Sequence, residues 1–166
     1  MRNFDEDSSV TNALTEVVVQ IDRPPEVVWR QFLDIGSWVT SHHIEEVQGA
    51  RGSLGSITRV SYKDAVREGY PSPHYHYCKI IEVIPQQRYV LKTYSEDGGS
   101  YGVEITGFDD ARFISKDGGT QITFNFFEEF RGKPKVSNDR SSINTDASRD
   151  GMVKNLNNLK RIVESS

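Results

Sequence analysis

Pro24 and Pro25 constrain this chain more than any other adjacent pair. Each lacks a backbone N–H and holds φ near about −65°, so a strand that reaches them must end and a helix can start on them without losing a hydrogen bond. The flanks agree with that reading. Residues up to Asp22 alternate like the end of a strand, and Val28, Phe32, Ile35 and Val39 follow at the 4-3-4 spacing of a buried helical stripe. Gly36 breaks that stripe into two short helices. Asp22 is expected to cap the first by accepting a hydrogen bond from its free N–H groups. Beyond the helix pair the chain reads as one strand after another, then a single long helix.

The strands follow from alternation and turn chemistry. Leu14–Asp22 is the first, with Val17, Val19 and Ile21 on one face, and residues 1–13 are expected as a flexible tail. Ile44–Gln48 and Leu54–Lys63 form a hairpin about Gly49–Gly52. Tyr75–Ile84 and Arg88–Ser95 pair across Pro85-Gln86-Gln87. Asp97-Gly98-Gly99 and Asp117-Gly118-Gly119 supply the positive φ angles of tight hairpins. The segment Ser100–Lys116 is too long for one flat strand, and Gly107 with Asp109-Asp110 is the expected bulge or bend. Thr120–Arg131 is the last strand. Residues 14–166 are read as a single domain.

The final helix, expected from about Asp146 to Glu164, stands on its own pattern. Met152, Leu156, Leu159 and Val163 fall within about 60° of one another, a narrow apolar seam. The first half presents Thr145, Ser148 and Asn155 where a packed core would want larger apolar groups. Either that end frays or it covers a cavity instead of filling a core.

Composition excludes several function classes. A formal net charge of −4, with Lys and Arg scattered, offers no basic face for nucleic acid. No apolar run approaches the roughly 18 residues of a membrane span, and the polar start of the chain has no secretory signal, so no stable membrane insertion is expected. The single cysteine, Cys78, permits no internal disulfide and fits a reducing, cytoplasmic setting. No phosphate loop, nucleophile elbow or metalloprotease motif is present, and no cofactor is expected. His42-His43 point to opposite sides of a strand. His74 and His76 share a face with Cys78 but lack a third recognisable ligand, so no metal site is expected.

The phrase carried by Ile21, Pro24, Pro25, Glu26, Val28 and Trp29, then by Asp34 and Trp38, resembles the START-type SRPBCC superfamily: Bet v 1-like proteins, polyketide cyclase/dehydratases and lipid-transfer modules. That family often has Pro after the second Trp, where this chain has Val39. The resemblance implies an α+β helix-grip fold. A curved antiparallel sheet of about seven strands would wrap a long C-terminal helix, with two short helices after strand one. It also implies a cavity between sheet and helix, and a fold that hosts carriers, receptors and enzymes alike.

Strand parity indicates what would line such a cavity. Ile122, Phe124, Phe126 and Phe130 share a face on the last strand, and Tyr101, Val103 and Ile105 make a similar row on the preceding one. Parity aims Glu128 inward, but a bulge would move it to the rim beside Glu129, and the rim is the expected position, because burying an unpaired charge costs several kcal/mol. The Tyr62–Tyr77 stretch, rich in Tyr, Pro and His, is a candidate binding loop. The ligand-contacting candidates are Trp38, Tyr62, His76, Tyr101, Val103, Phe124, Phe126, Glu128, Ser148 and Met152; Glu128 and His76 are also the acid–base candidates. The leading expectation is binding of a small hydrophobic or aromatic molecule, such as a lipid, polyketide or secondary metabolite. A polyketide cyclase/dehydratase-like enzyme and a co-chaperone-like interaction module are the alternatives. The sequence leaves the ligand and the oligomeric state open.

Overall fold

The computed structural model describes residues 9–62, 75–95, 103–132 and 145–166, with side chains for 14–61, 75–95, 104–129 and 149–166. The elements are β1 (Ser9–Ile21), α1 (Pro25–Leu33), α2 (Ile35–Trp38), β2 (His42–Gln48), β3 (Ile57–Tyr62), β4 (Tyr75–Ile84), β5 (Arg88–Tyr94), β6 (Val103–Lys116), β7 (Gly119–Gly132) and α3 (Thr145–Glu164). The strands make one antiparallel, curved sheet in the order β1-β7-β6-β5-β4-β3-β2. This is the helix-grip arrangement.

Val17, Val19 and Ile21 on β1 face Phe124, Ile122 and Thr120 on β7, and their shared inner face is buried. Against it lie Leu156, Leu159 and Val163 of α3, each 1 % exposed or less. Trp29 and Phe32 bury the helix pair against Tyr89 and Phe113, edge to face. Trp38 is fixed twice. It stacks on Phe32 at 5.2 Å between centroids, and its Nε1 donates to the Phe32 carbonyl at 3.0 Å.

Several local expectations are corrected. β1 begins at Ser9, inside the segment read as a tail, because Ser9–Asn12 pair with Arg131–Glu128 of β7. Residues 1–8 lie outside the described residues. Asp22 does not cap α1. Pro24 is the N-cap with no side-chain bond, and the Asp22 N–H instead donates to Glu164 Oε1 at 2.9 Å. The bulge expected at Gly107 to Asp110 is absent, since β6 pairs with β5 and β7 in one unbroken register. The bulges fall in β1 (Asn12 to Thr15), β2 (Glu46 to Gln48) and β4 (Ile80 to Glu82), where they share out the curvature of the sheet. Asp117 and Gly118, at φ 52° and 79°, close the β6–β7 hairpin as their residue types require.

The C-terminal turn of α3 is pinned to the β1–α1 junction. Arg23 donates to the Glu164 carbonyl at 2.9 Å, Lys160 to the Gln20 carbonyl at 2.5 Å, and Thr120 to the Arg23 carbonyl at 2.7 Å. The N-terminal half has no such anchor among the described residues. There Met152 is half-buried and Asn155 only 6 % exposed, and both border a space that the core does not fill.

Candidate functional site

That space is a cavity of about 200 Å³ between the concave face of the sheet and the first half of α3. Its shape follows from parity. Paired residues of an antiparallel sheet share a face, so the inward positions run across the strands from Ile44 on β2 through Val60, His76, Cys78 and Thr93 to Asp109 and Glu128. Phe32, Trp38 and Val39 close one end, and Met152 and Asn155 cover it from α3. At the β2–β3 turn the wall includes Arg51, which bridges Glu46 and Asp34 (2.6 Å to Asp34) and is 56 % exposed.

Glu128 is in this wall, not on the rim. With no bulge in β7, it sits opposite Gly107, where the two strands approach closely. A Cβ on Gly107 would overlap the Phe127 carbonyl oxygen. Asp109 is the neighbour two residues further along β6 and lines the same wall, so the two carboxyl groups are diagonal neighbours on adjacent strands. Burial, then the nearby Glu128 charge, pushes the Asp109 carboxyl up to about 8. Burial also raises Glu128. At neutral pH the pair therefore holds at least one proton.

The remaining polar groups of the wall are quiet. Burial pushes the Cys78 thiol up to about 12, which keeps it in the less reactive protonated form at neutral pH, and its Sγ lies 3.8 Å from Thr93 Oγ1. Tyr89, also in the wall, is raised by burial. His42 faces in while His43 does not; the His42 and His76 rings meet edge to face at 6.3 Å, with His42 Nδ1 2.8 Å from Ser41 Oγ. No group of three metal-ligating side chains occurs among the described residues.

Of the residues expected at the ligand, Trp38, His76, Phe124, Glu128 and Met152 line the cavity. Phe126 does not. It is 3 % exposed in the core, beside Phe124 at 6.3 Å. Tyr101 and most of the Tyr62–Tyr77 loop lie outside the described residues, as do the side chains of Tyr62, Val103 and Ser148. Asp109 was missed because it was read as part of a bend. Parity carried without interruption from Ile105 to Phe113 would have placed it inward.

No known family profile and no curated protein sequence matches this chain. Solved structures do match. Ara h 8.0201 superposes with a TM-score of 0.64 over 95 % of this chain and 99 % of its own, at 16 % identity. The fold is Bet v 1-like. A conserved protein from Geobacillus kaustophilus reaches a TM-score of 0.70 over 92 % and 96 % of the two chains, at 12 % identity. DynU16, a protein of the dynemicin biosynthetic locus, gives 0.58 over 91 % of this chain at 18 % identity, and this chain spans 47 % of its length. At such identities the likeness to these Bet v 1-like folds concerns the fold alone. Among the described residues no helix is long and apolar enough to cross a membrane.

Proposed function

We propose that this protein encloses a small, largely apolar molecule between its sheet and α3. The observation that carries the reading is the unfilled cavity of about 200 Å³, walled by side chains such as Trp38, Phe124, Leu91 and Met152. An apolar cavity of roughly 150 Å³ suffices for benzene, so a ligand of one or two rings fits. The likeness to a protein of the dynemicin biosynthetic locus supports a secondary metabolite as the cargo. Titration of native protein with a two-ring, environment-sensitive fluorophore that is uncharged at neutral pH, 1-naphthylamine, tests it. Saturable binding that Val60→Phe abolishes is expected, since Val60 lines the cavity. Absence of saturable binding would overturn the proposal.

A second reading has one specific observation in its favour. Two carboxyl groups on one cavity wall, one with its proton held to about pH 8, form the equipment of acid–base catalysis on an enclosed substrate, as in a cyclase or dehydratase. It shares the cavity with the first reading and differs only in whether a proton moves.

A further inference from the structure

The cavity wall carries an imbalance of charge. Asp109 and Glu128 face the cavity side by side, and neither makes a hydrogen bond or ion pair with a side chain among the described residues. Among the described residues the one guanidinium in the wall, Arg51, is committed to Glu46 and Asp34 at the far turn. Arg59 and Arg88 are paired with Glu45 and with Glu82 and Asp110. From across the cavity, α3 presents Asn155, 6 % exposed, whose amide has no hydrogen-bond partner among the described residues. Buried polar groups without partners are rare and costly in a finished core. Three of them around one empty space describe the ligand that completes it.

We propose that the enclosed molecule is a cationic amine, its ammonium group seated between Asp109 and Glu128 and a second polar group of the ligand meeting Asn155. The inference rests on the cavity-binding reading above and narrows it to one chemical class. An anionic ligand would bring another acidic group to a pair that burial already keeps from ionising fully, and would supply no counter-charge. A neutral alcohol would leave the carboxyl groups in the protonated state that burial imposes. An ammonium instead supplies the missing counter-charge at short range, where a low-dielectric wall makes the pairing strong.

The proton balance follows. The free pair holds at least one proton at neutral pH; the bound ammonium favours both carboxylates and displaces what the pair holds, so amine and protein combine to give the ion-paired complex with proton release to solution. The other titratable groups facing the cavity among the described residues are Cys78 and His76 from β4, Tyr89 from β5, His42 and Glu46 from β2, and Arg51 of the β2–β3 turn, with none from the described side chains of β1 and α3. Cys78 and Tyr89 keep their protons throughout the neutral range. His76 and His42 are the groups that a control must address.

The experiment uses three probes of one shape: 2-(1-naphthyl)ethylamine, 2-(1-naphthyl)ethanol and 1-naphthaleneacetate, titrated calorimetrically at pH 7.5 in buffers of different ionisation enthalpy. The amine should bind roughly tenfold or more tighter than the alcohol, and the acid weakest. Amine binding alone should release protons, and should still do so in His42→Gln and His76→Gln. Asp109→Asn and Glu128→Gln should each lose the preference for the amine while holding the alcohol within about threefold. Equal affinity for amine and alcohol, no proton release, or tightest binding of the acid would overturn the amine assignment and leave the cavity reading standing. No binding of any probe, with 1-naphthylamine also failing, would overturn both.

Discussion

Asp109 and Asp110 are consecutive residues of β6 whose carboxyl groups are driven in opposite directions by the two faces of one strand. Asp109 points into the cavity, where burial and then the Glu128 charge hold its proton on to about pH 8. Asp110 points outward. Partial burial works against its charge, but hydrogen bonds from Arg88 and Arg112 outweigh it and keep the carboxyl below the usual range. The same chemical group is thus a structural anion on one side of the sheet and a proton reservoir on the other.

That reservoir sets a pH dependence. In the unfolded chain Asp109 loses its proton near 3.8, and in the folded protein near 8. Its contribution to stability is therefore complete below about pH 4 and is lost as pH rises to about 8, at on the order of 1.4 kcal/mol per pH unit within the window. Urea midpoints measured from pH 4.5 to 8.5 should fall for the native sequence. The Asp109→Asn profile should be flatter and should match or exceed it at pH 8. Superimposable profiles would contradict the buried placement.

Gly107 is a second point of stress. Its Cβ, if present, would meet the Phe127 carbonyl and the Cα of Glu128, backbone atoms that cannot swing aside. Gly107→Ala should cost about 1–3 kcal/mol in chemical denaturation. It should also weaken probe binding by shifting Glu128. A neutral substitution would mean that β6 and β7 do not approach as described.

The two halves of α3 should answer differently to the same truncation. Leu159 is fully buried, so Leu159→Ala should cost about 2–5 kcal/mol. Met152 borders space that is already empty, and Met152→Ala should cost about 1 kcal/mol or less while altering probe affinity. Equal losses of stability would show the first half of the helix to be ordinary core.

Carrier and enzyme separate at Glu128. Glu128→Gln keeps the shape and removes the titratable charge. If the protein moves protons on a substrate, turnover should fall by roughly 100-fold or more with little change in ligand affinity. If it only carries its ligand, affinity changes and no rate exists to be lost. A steady-state assay on a true substrate, run beside the binding titration, distinguishes them.

Most of the fold was legible because its signals are local. Pro24-Pro25, the alternation through Val17, Val19 and Ile21, and the turn at Asp117-Gly118 are each decided within a few residues, and the structure agrees with all three. The site was less legible because its facts are collective. Whether Glu128 faces in depends on a register kept over the whole of β6 and β7, and the irregularity beside it is carried by β1, across the hydrogen bonds. The composition around Gly107 and Asp109-Asp110 looks like a turn when read locally. Its real reasons are close strand approach at Gly107 and opposite faces for the two aspartates, and both depend on partners distant in sequence.

The uneven fastening of α3 makes it a lever with its fulcrum at one end. Leu156, Leu159, Val163 and the bonds around Glu164 hold the C-terminal turns to β1 and α1, while among the described residues the turns over the cavity rest on Asn155 and the half-buried Met152 and Val153. Small angular play at such a fulcrum becomes its largest displacement directly above the cavity. Passage in and out can then be had by bending one arm, with the sheet, the aromatic cluster and the pinned end left as they are. A guest that grips both Asn155 and the carboxyl pair would tie the free arm down, so occupancy itself would stiffen the helix.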